Sequence, residues 1–261
     1  MKRVVALICA FIILFSFCSC DKNKKGDTVF FDKKETKVIA HRGLSGLEIE
    51  NTKEAFTAAG KRSYYGIEAD VRKTADGKFV ICHDETLKRL SGKNIKIEES
   101  LLKDLLDVVL RNGDQSSKGR LCELSTYISI CKSYQKQAIL ELKSDFSKQE
   151  IAQIVDIIRL EGYVDNVTFI SFQYRNLEYV RQILPEQPVQ YLFSKLSDDI
   201  IEKLISDKID AAISYSAFTE EALATLHNAG LTVNCWTVDD KETAEYLASL
   251  GVDYITTNIL E

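Results

Sequence analysis

The chain holds three histidines, and two of them end short apolar runs beside charged residues: Val38-Ile39-Ala40-His41-Arg42-Gly43 and Phe79-Val80-Ile81-Cys82-His83-Asp84. Two further runs have the same character, Gly66-Ile67-Glu68-Ala69-Asp70-Val71 and Ala138-Ile139-Leu140-Glu141-Leu142-Lys143. Each reads as a strand with its reactive groups near the C-terminal end. Imidazole titrates near neutrality, so one of His41 and His83 can accept a proton while the other donates. Glu68, Asp70 and Glu141 offer oxygen alone, the donor set of a hard divalent cation, Mg2+ or Ca2+. On a buried parallel strand such acids need a partner, either that cation or an ion-pair network through Arg42 or Lys143. Arg42 and Lys143 suit phosphoryl oxygens and would offset charge in a transition state. The set fits metal-assisted acid–base chemistry on a phosphate ester. His227, late in an amphipathic segment, reads as a surface or cap residue.

These groups need a scaffold that brings strand ends together. Strand-like runs cover 38–42, 67–71, 138–142, 167–171, 189–193, 210–214, 232–237 and 253–256. Most lack polar alternation, as expected of parallel strands buried on both faces. Helical periodicity fills the gaps, with a capping-box-like start at Asn51-Thr52-Lys53-Glu54 and helices over 122–133, 148–160, 174–184, 197–207, 219–229 and 240–250. Eight such units predict an α/β fold, a TIM (β/α)8 barrel. An open doubly wound sheet is the alternative, but strand one ends in His-Arg-Gly rather than a glycine-rich phosphate loop. Phe79 to Cys82 is an extra run with no helix before it, and Asp76-Gly77 signals a hairpin. With those two residues at the centre of the turn, Asp70 lies opposite His83, and Glu68, Asp70 and His83 share one side of the ribbon. Residues 84–120 are then an insertion between strand two and its helix, with a helix near 99–110 and a polar loop over 112–119.

The chain begins with Lys2 and Arg3, followed by an almost wholly apolar stretch over 4–17 that is short for a bilayer span. Residues 1–19 read as a signal peptide of lipoprotein type. Phe17-Cys18-Ser19-Cys20 reads as a lipobox with Cys20 lipidated, residues 20–36 as a tether, and 37–261 as one domain. The expected location is outside the cytoplasm, membrane-anchored and facing the periplasm or cell surface. The net charge of -5 and the absence of a basic stripe argue against nucleic acid as a partner. Cys82, Cys122, Cys131 and Cys235 lie in apolar runs and read as buried free thiols. Cys122 and Cys131 are expected on one helix, about 13 Å apart along its axis and too far to bridge. Without a CxxC a structural zinc site is not expected.

In order, His41-Arg42-Gly43, Glu50-Asn51-Thr52, Glu68-x-Asp70-Val71, Asp76-Gly77, His83-Asp84 and Glu141-x-Lys143 resemble the motifs of the glycerophosphodiester phosphodiesterases. The resemblance runs over residues 37–258 and takes in Ser171-Phe172, Trp236-Thr237-Val238-Asp239 and Gly251-Val252-Asp253. It implies a TIM-type barrel with a small insertion after strand two. It implies acid–base catalysis by His41 and His83, metal binding by Glu68, Asp70 and Glu141, and phosphate contacts from Arg42 and Lys143. Glu50 and Trp236 would line the pocket. The implied reaction is hydrolysis of a glycerophosphodiester to glycerol 3-phosphate and an alcohol, by attack of a neighbouring substrate hydroxyl or of water. Ile49 stands where the family usually has proline, the insertion is short and poor in aromatic residues, and the last strand ends Thr256-Thr257-Asn258 rather than Thr-Asp. None of these departures touches the metal or proton-transfer groups. Two other readings keep the anchor: a phospholipase C/D-like barrel acting on lipid phosphodiesters, and a surface lipoprotein that binds without turnover. Glycoside hydrolysis would use paired acids but leaves two histidines, Arg42 and Lys143 unexplained.

Overall fold

A computed structural model describes residues 26–111 and 117–261. Residues 1–19, read above as a signal peptide, Cys20 and most of the polar loop expected at 112–119 lie outside the described residues.

Eight parallel strands close on themselves: β1 (Lys37–Ala40), β2 (Gly66–Lys73), β3 (Gln137–Leu142), β4 (Val167–Ser171), β5 (Val189–Phe193), β6 (Asp210–Ser214), β7 (Val233–Trp236) and β8 (Tyr254–Thr257). β1 pairs with both β2 and β8, which makes the sheet a barrel. Seven helices fill the connections: α1 (Lys53–Gly60), α2 (Leu124–Ser133), α3 (Lys148–Leu160), α4 (Tyr174–Ile183), α5 (Asp198–Asp207), α6 (Glu220–Asn228) and α7 (Lys241–Ser249). The fold is the TIM barrel that the run of strands and helices predicts. After β8 there is no eighth helix among the described residues. Part of the stretch read as a tether lies along the barrel instead: Val29 pairs with Leu260, Thr28 Oγ1 donates to Glu261, and the Asp32 N–H donates to Glu245 of α7. Phe31 is buried there.

Strand residues alternate between two apolar layers. Val38, Ala40, Ile67, Ala69, Leu140 and Phe169 face the helices, while Ile39, Ile139, Ile170, Leu192 and Ala212 fill the barrel. His41, Glu68, Asp70, Glu141 and Lys143 share the parity of the inward set, so each emerges above that apolar floor. The register sets Asp70 beside Glu141 and Glu68 beside Ile139. Buried polar groups in the barrel satisfy one another: Thr256 donates to Asn234, which donates to Gln190.

The hairpin forms, but in a different register from that expected. Val71 faces Ile81 and Arg72 faces Val80, so Asp70 stands opposite Cys82, whose N–H it accepts at 2.8 Å. The loop has three residues rather than two. Thr74 Oγ1 bonds both Asp76 and Lys78, and Gly77 takes the left-handed conformation (φ 68°) that such a loop requires. His83 therefore does not reach the carboxylates by strand alternation. The paired strand ends at Ile81, and the chain turns His83 toward the mouth, where Arg72 grips its carbonyl at 2.9 and 2.8 Å.

The insertion is built from short pieces: helix Leu102–Leu106 occupies part of the stretch near 99–110 expected to be helical, helix Lys88–Ser91 precedes it, and strand Leu110–Arg111 pairs with Lys118–Gly119. It has its own apolar cluster, with Leu87, Ile97, Leu105 and Leu110 packed on Val80 and Cys82. Cys122 lies on a strand pairing with Phe79–Ile81 rather than on the helix of Cys131, because residues 122–123 complete that ribbon before α2 starts. The four described cysteines are buried and free. No helix among the described residues is long and apolar enough to cross a membrane.

Candidate active site

His41, Arg42, Glu68, His83, Glu141, Lys143 and Trp236 line one cavity at the C-terminal mouth of the barrel. Asp70 lies just beneath, fully buried, with Glu68 and Glu141 also buried. Glu50 is not on the cavity wall; it stands behind Arg42 and binds its Nη1 at 2.9 Å. His227 is remote, paired with Asp253 at 2.8 Å on the outer surface.

The turn after β1 sets the first half of the site. Arg42 adopts φ 55°, which turns its N–H toward Glu68 Oε2 at 2.7 Å. Gly43 follows at φ 76°, and a Cβ there would come within 2.6 Å of the Ala55 backbone, so glycine is required on both counts. Thr52 caps α1, which leaves Asn51 free to hold Asp70 Oδ2 through its Nδ2 at 2.7 Å. Arg42 Nε lies 3.5 Å and Lys143 Nζ 3.7 Å from Asp70, and Lys143 pairs with Glu141 at 2.9 Å.

The three acids are unequal. Burial, then the charges of Asp70 and Glu141, push Glu68 well above the usual carboxylate range. Glu141 is raised to about 8, first by burial and then by Asp70. Burial works against the charge of Asp70 too, but Arg42, Lys143 and His83 outweigh it and hold Asp70 at about 2. Without a further cation, then, one charge is kept and two are suppressed. One ligand oxygen or more from each acid lies within 4.8 Å of the others. Glu68 Oε1 and Asp70 Oδ1 are buried with no hydrogen-bond partner, the latter only within ion-pair reach of Lys143 Nζ at 3.7 Å, a costly arrangement unless something else binds them. All-oxygen donors, two of them orphaned, fit a hard divalent cation.

The two imidazoles are prepared differently. His41 Nδ1 lies 2.8 Å from Asn258 Oδ1. Asn258 presents that oxygen because its Nδ2 and backbone N–H both donate to Asp239, at 2.6 and 2.7 Å. A carboxylate only accepts, so the order of atoms is set: Nδ1 of His41 carries the hydrogen and Nε2 keeps a lone pair. Burial and the neighbouring Arg42 charge push His41 down to about 4, so the ring is neutral at pH 7. His83 Nδ1 lies 2.8 Å from Asp84 Oδ1. Burial, with the charges of Arg42 and Lys143, lowers the His83 pKa against the opposing pull of Asp70 and Asp84.

The far wall is apolar. Phe172 and Trp236 meet edge to face at 5.5 Å, Ile170 and Leu192 lie beneath, and Lys143 Nζ sits 5.8 Å over the Phe172 ring.

The sequence profile of the glycerophosphoryl diester phosphodiesterase family matches residues 41–261. The chain belongs to this family. It is thus an enzyme, a phosphoric diester hydrolase. The glycerophosphodiester phosphodiesterase of Caldanaerobacter subterraneus is 27% identical, over 86% of this chain and 94% of that one. A Bacillus subtilis enzyme of the same name is 26% identical over 98% of this chain and 95% of its own. Among solved structures, a phosphodiesterase from Oleispira antarctica, in complex with the product sn-glycerol-3-phosphate, superposes with a TM-score of 0.77 at 28% identity, covering 85% of this chain and 92% of that one.

Sequence reasoning passed over several residues that build the enzyme's site. Asn51 read as part of a helix start and of the Glu50-Asn51-Thr52 motif with no role of its own, Asn258 as a mere departure from Thr-Asp, and Arg89 not at all. Asp84 was marked only by its place beside His83 in the His83-Asp84 motif.

Proposed function

We propose that the enzyme hydrolyses glycerophosphodiesters to glycerol 3-phosphate and an alcohol, with a divalent cation, Mg2+ or Ca2+, held by Glu68, Asp70 and Glu141. The observation that carries this reading is one cavity lined by two histidines, one with Nδ1 against an amide oxygen and the other with Nδ1 against a carboxylate, above buried carboxylates with unbonded oxygens. The product bound to the Oleispira antarctica phosphodiesterase supports the substrate class. A cation at the carboxylates would polarise a phosphoryl oxygen. Arg42 and Lys143 bind the remaining phosphoryl oxygens and orient the diester. His41 Nε2 takes the proton of the glycerol hydroxyl next to the phosphate as that oxygen bonds to phosphorus. His83 passes its proton to the alkoxide as the bond between phosphorus and the alcohol breaks. In a second step His83 accepts a proton from water, and His41 returns its own to the glycerol oxygen as the cyclic phosphate opens. Purified enzyme incubated with glycerophosphocholine, glycerophosphoethanolamine, glycerophosphoglycerol and lysophospholipids should release glycerol 3-phosphate from the soluble diesters with Mg2+ or Ca2+, and not with EDTA. Turnover of lysophospholipid alone would move the reading to a lipid phosphodiesterase. No metal-dependent turnover of any substrate would end it.

Residues 1–19 and Cys20 we read as an export signal and lipid anchor, on the strength of the apolar stretch over 4–17 and the cysteine that follows it. Cys20→Ser should shift the protein from the membrane to the soluble fraction of broken cells. Unchanged membrane partition would remove the anchor from the proposal.

A further inference from the structure

One side chain of the insertion reaches both halves of the site. Arg89, on the helix Lys88–Ser91, donates Nη1 and Nη2 to Glu50 at 2.7 and 2.8 Å. Its Nε and Nη2 donate to Asp84 at 2.8 and 3.1 Å. Glu50 in turn holds Arg42 Nη1 at 2.9 Å, and Asp84 holds His83 Nδ1 at 2.8 Å. The continuous chain is Arg42–Glu50–Arg89–Asp84–His83, with one guanidinium at its centre. Its two carboxylates come from the loop before α1 and from the end of the hairpin, and nothing in the backbone pairs those segments directly. A planar fork with five donors can serve both carboxylates at fixed spacing; an ammonium cannot. The side chain of Arg89 is 47% exposed, against 14% for Glu50 and 28% for Asp84. At such exposure an ion pair contributes little to stability, so its worth lies in where it puts its partners.

We propose that Arg89 is a positioning residue, through which the insertion sets the placement of Arg42 relative to His83 across the cavity. The proposal rests on the roles given to Arg42 and His83 above. Misplacing a reacting group by about 1 Å costs on the order of 100-fold in rate. Arg89→Ala in the full chain should therefore lower kcat by about 10- to 100-fold, with a smaller change in KM and an unchanged melting temperature. Arg89→Lys, which can reach one carboxylate at a time, should recover part of the loss. The loss should be largely absent when Arg89→Ala is added to a Glu50→Gln, Asp84→Asn double variant, because members of one network do not add. Arg159→Ala, on the outside of α3, serves as the control and should change nothing.

A second readout needs no turnover. With three histidines in the chain, the imidazole nitrogens can be assigned by NMR. The His83 Nδ1–H signal should shift or exchange away in Arg89→Ala and return in part in Arg89→Lys, while that of His227 stays fixed. Wild-type kcat together with an unmoved His83 signal in Arg89→Ala would overturn the proposal, as would a loss that adds fully to the double variant. A wild-type enzyme without turnover would overturn the function proposed above, and the NMR comparison would still decide whether Arg89 holds His83.

Discussion

His83→Ala should slow first-turnover release of choline from glycerophosphocholine by about a thousandfold, within the range for loss of a general acid, and should cost far less for first-turnover release of nitrophenolate from glycerol 4-nitrophenyl phosphate. Nitrophenolate leaves without protonation, so a substrate that needs no acid should not miss one. His41→Ala should be slow on both, because the attacking hydroxyl needs its proton removed whatever departs. The contrast assigns the two roles, which rest on geometry: His41 Nδ1 faces the neutral amide oxygen of Asn258, whereas His83 Nδ1 faces the Asp84 carboxylate, which supports a positive ring better than an amide does. Single-turnover release of the alcohol from the two substrates, which precedes opening of the cyclic phosphate, provides the measurement, with melting curves to show that each variant folds. Equal losses on both substrates for His83→Ala would remove it as the acid.

The second large effect concerns the carboxylates, and it runs in opposite directions with and without a cation. Glu141 carries a proton up to about 8 in the folded chain, against an ordinary value of 4.5, because burial and then Asp70 resist its charge. A raised carboxyl means that the folded state holds the proton more tightly than the unfolded one. The resulting stability is fully present below pH 4.5 and is lost as pH rises toward 8. In EDTA the wild-type melting temperature should therefore fall between pH 5 and pH 8. Glu141→Gln cannot ionise and should melt above wild type at pH 8 under those conditions. Mg2+ or Ca2+ should reverse the order, since a ligand at 100 times its Kd adds about 2.7 kcal/mol, worth several degrees in a chain of this size. The same cation should bind more tightly as pH rises, because it displaces the protons on Glu141 and Glu68. Activity of Glu141→Gln should fall at least about 100-fold, beyond what even outer partners of a metal site cost. A wild-type melting temperature indifferent to cation at pH 8 would refute the metal assignment.

The barrel was legible because its strands are apolar on both faces and its helices carry caps and periodicity, signals that local sequence expresses in full. Glu68, Asp70 and Glu141 stood out because acids at inward positions of apolar strands have few explanations. The hairpin register was not legible. Asp76-Gly77 suits a loop of two or three residues, and the choice is made by Thr74, whose hydroxyl bonds across the turn to Asp76 and Lys78. Arg89, Asn51 and Asn258 were beyond reach for another reason. They are polar residues in loops or at the start of a short helix, where no periodicity marks them. Their partners lie 39, 19 and 217 positions away in sequence, so only the closed barrel brings each pair together.

The distribution of the site around the barrel has a consequence for how the enzyme can change. His41, Arg42, Glu68, Asp70, His83, Glu141 and Lys143 all come from β1 to β3 and the hairpin, whereas β4 to β7 contribute the wall made by Ile170, Phe172, Leu192 and Trp236. From the later half of the fold, Asn258, held by Asp239, reaches back to the His41 ring. The charged groups and the apolar wall of the cavity thus occupy separate arcs of one ring, so a change at Ile170, Leu192 or Trp236 falls on strands that carry none of the cavity's charged groups.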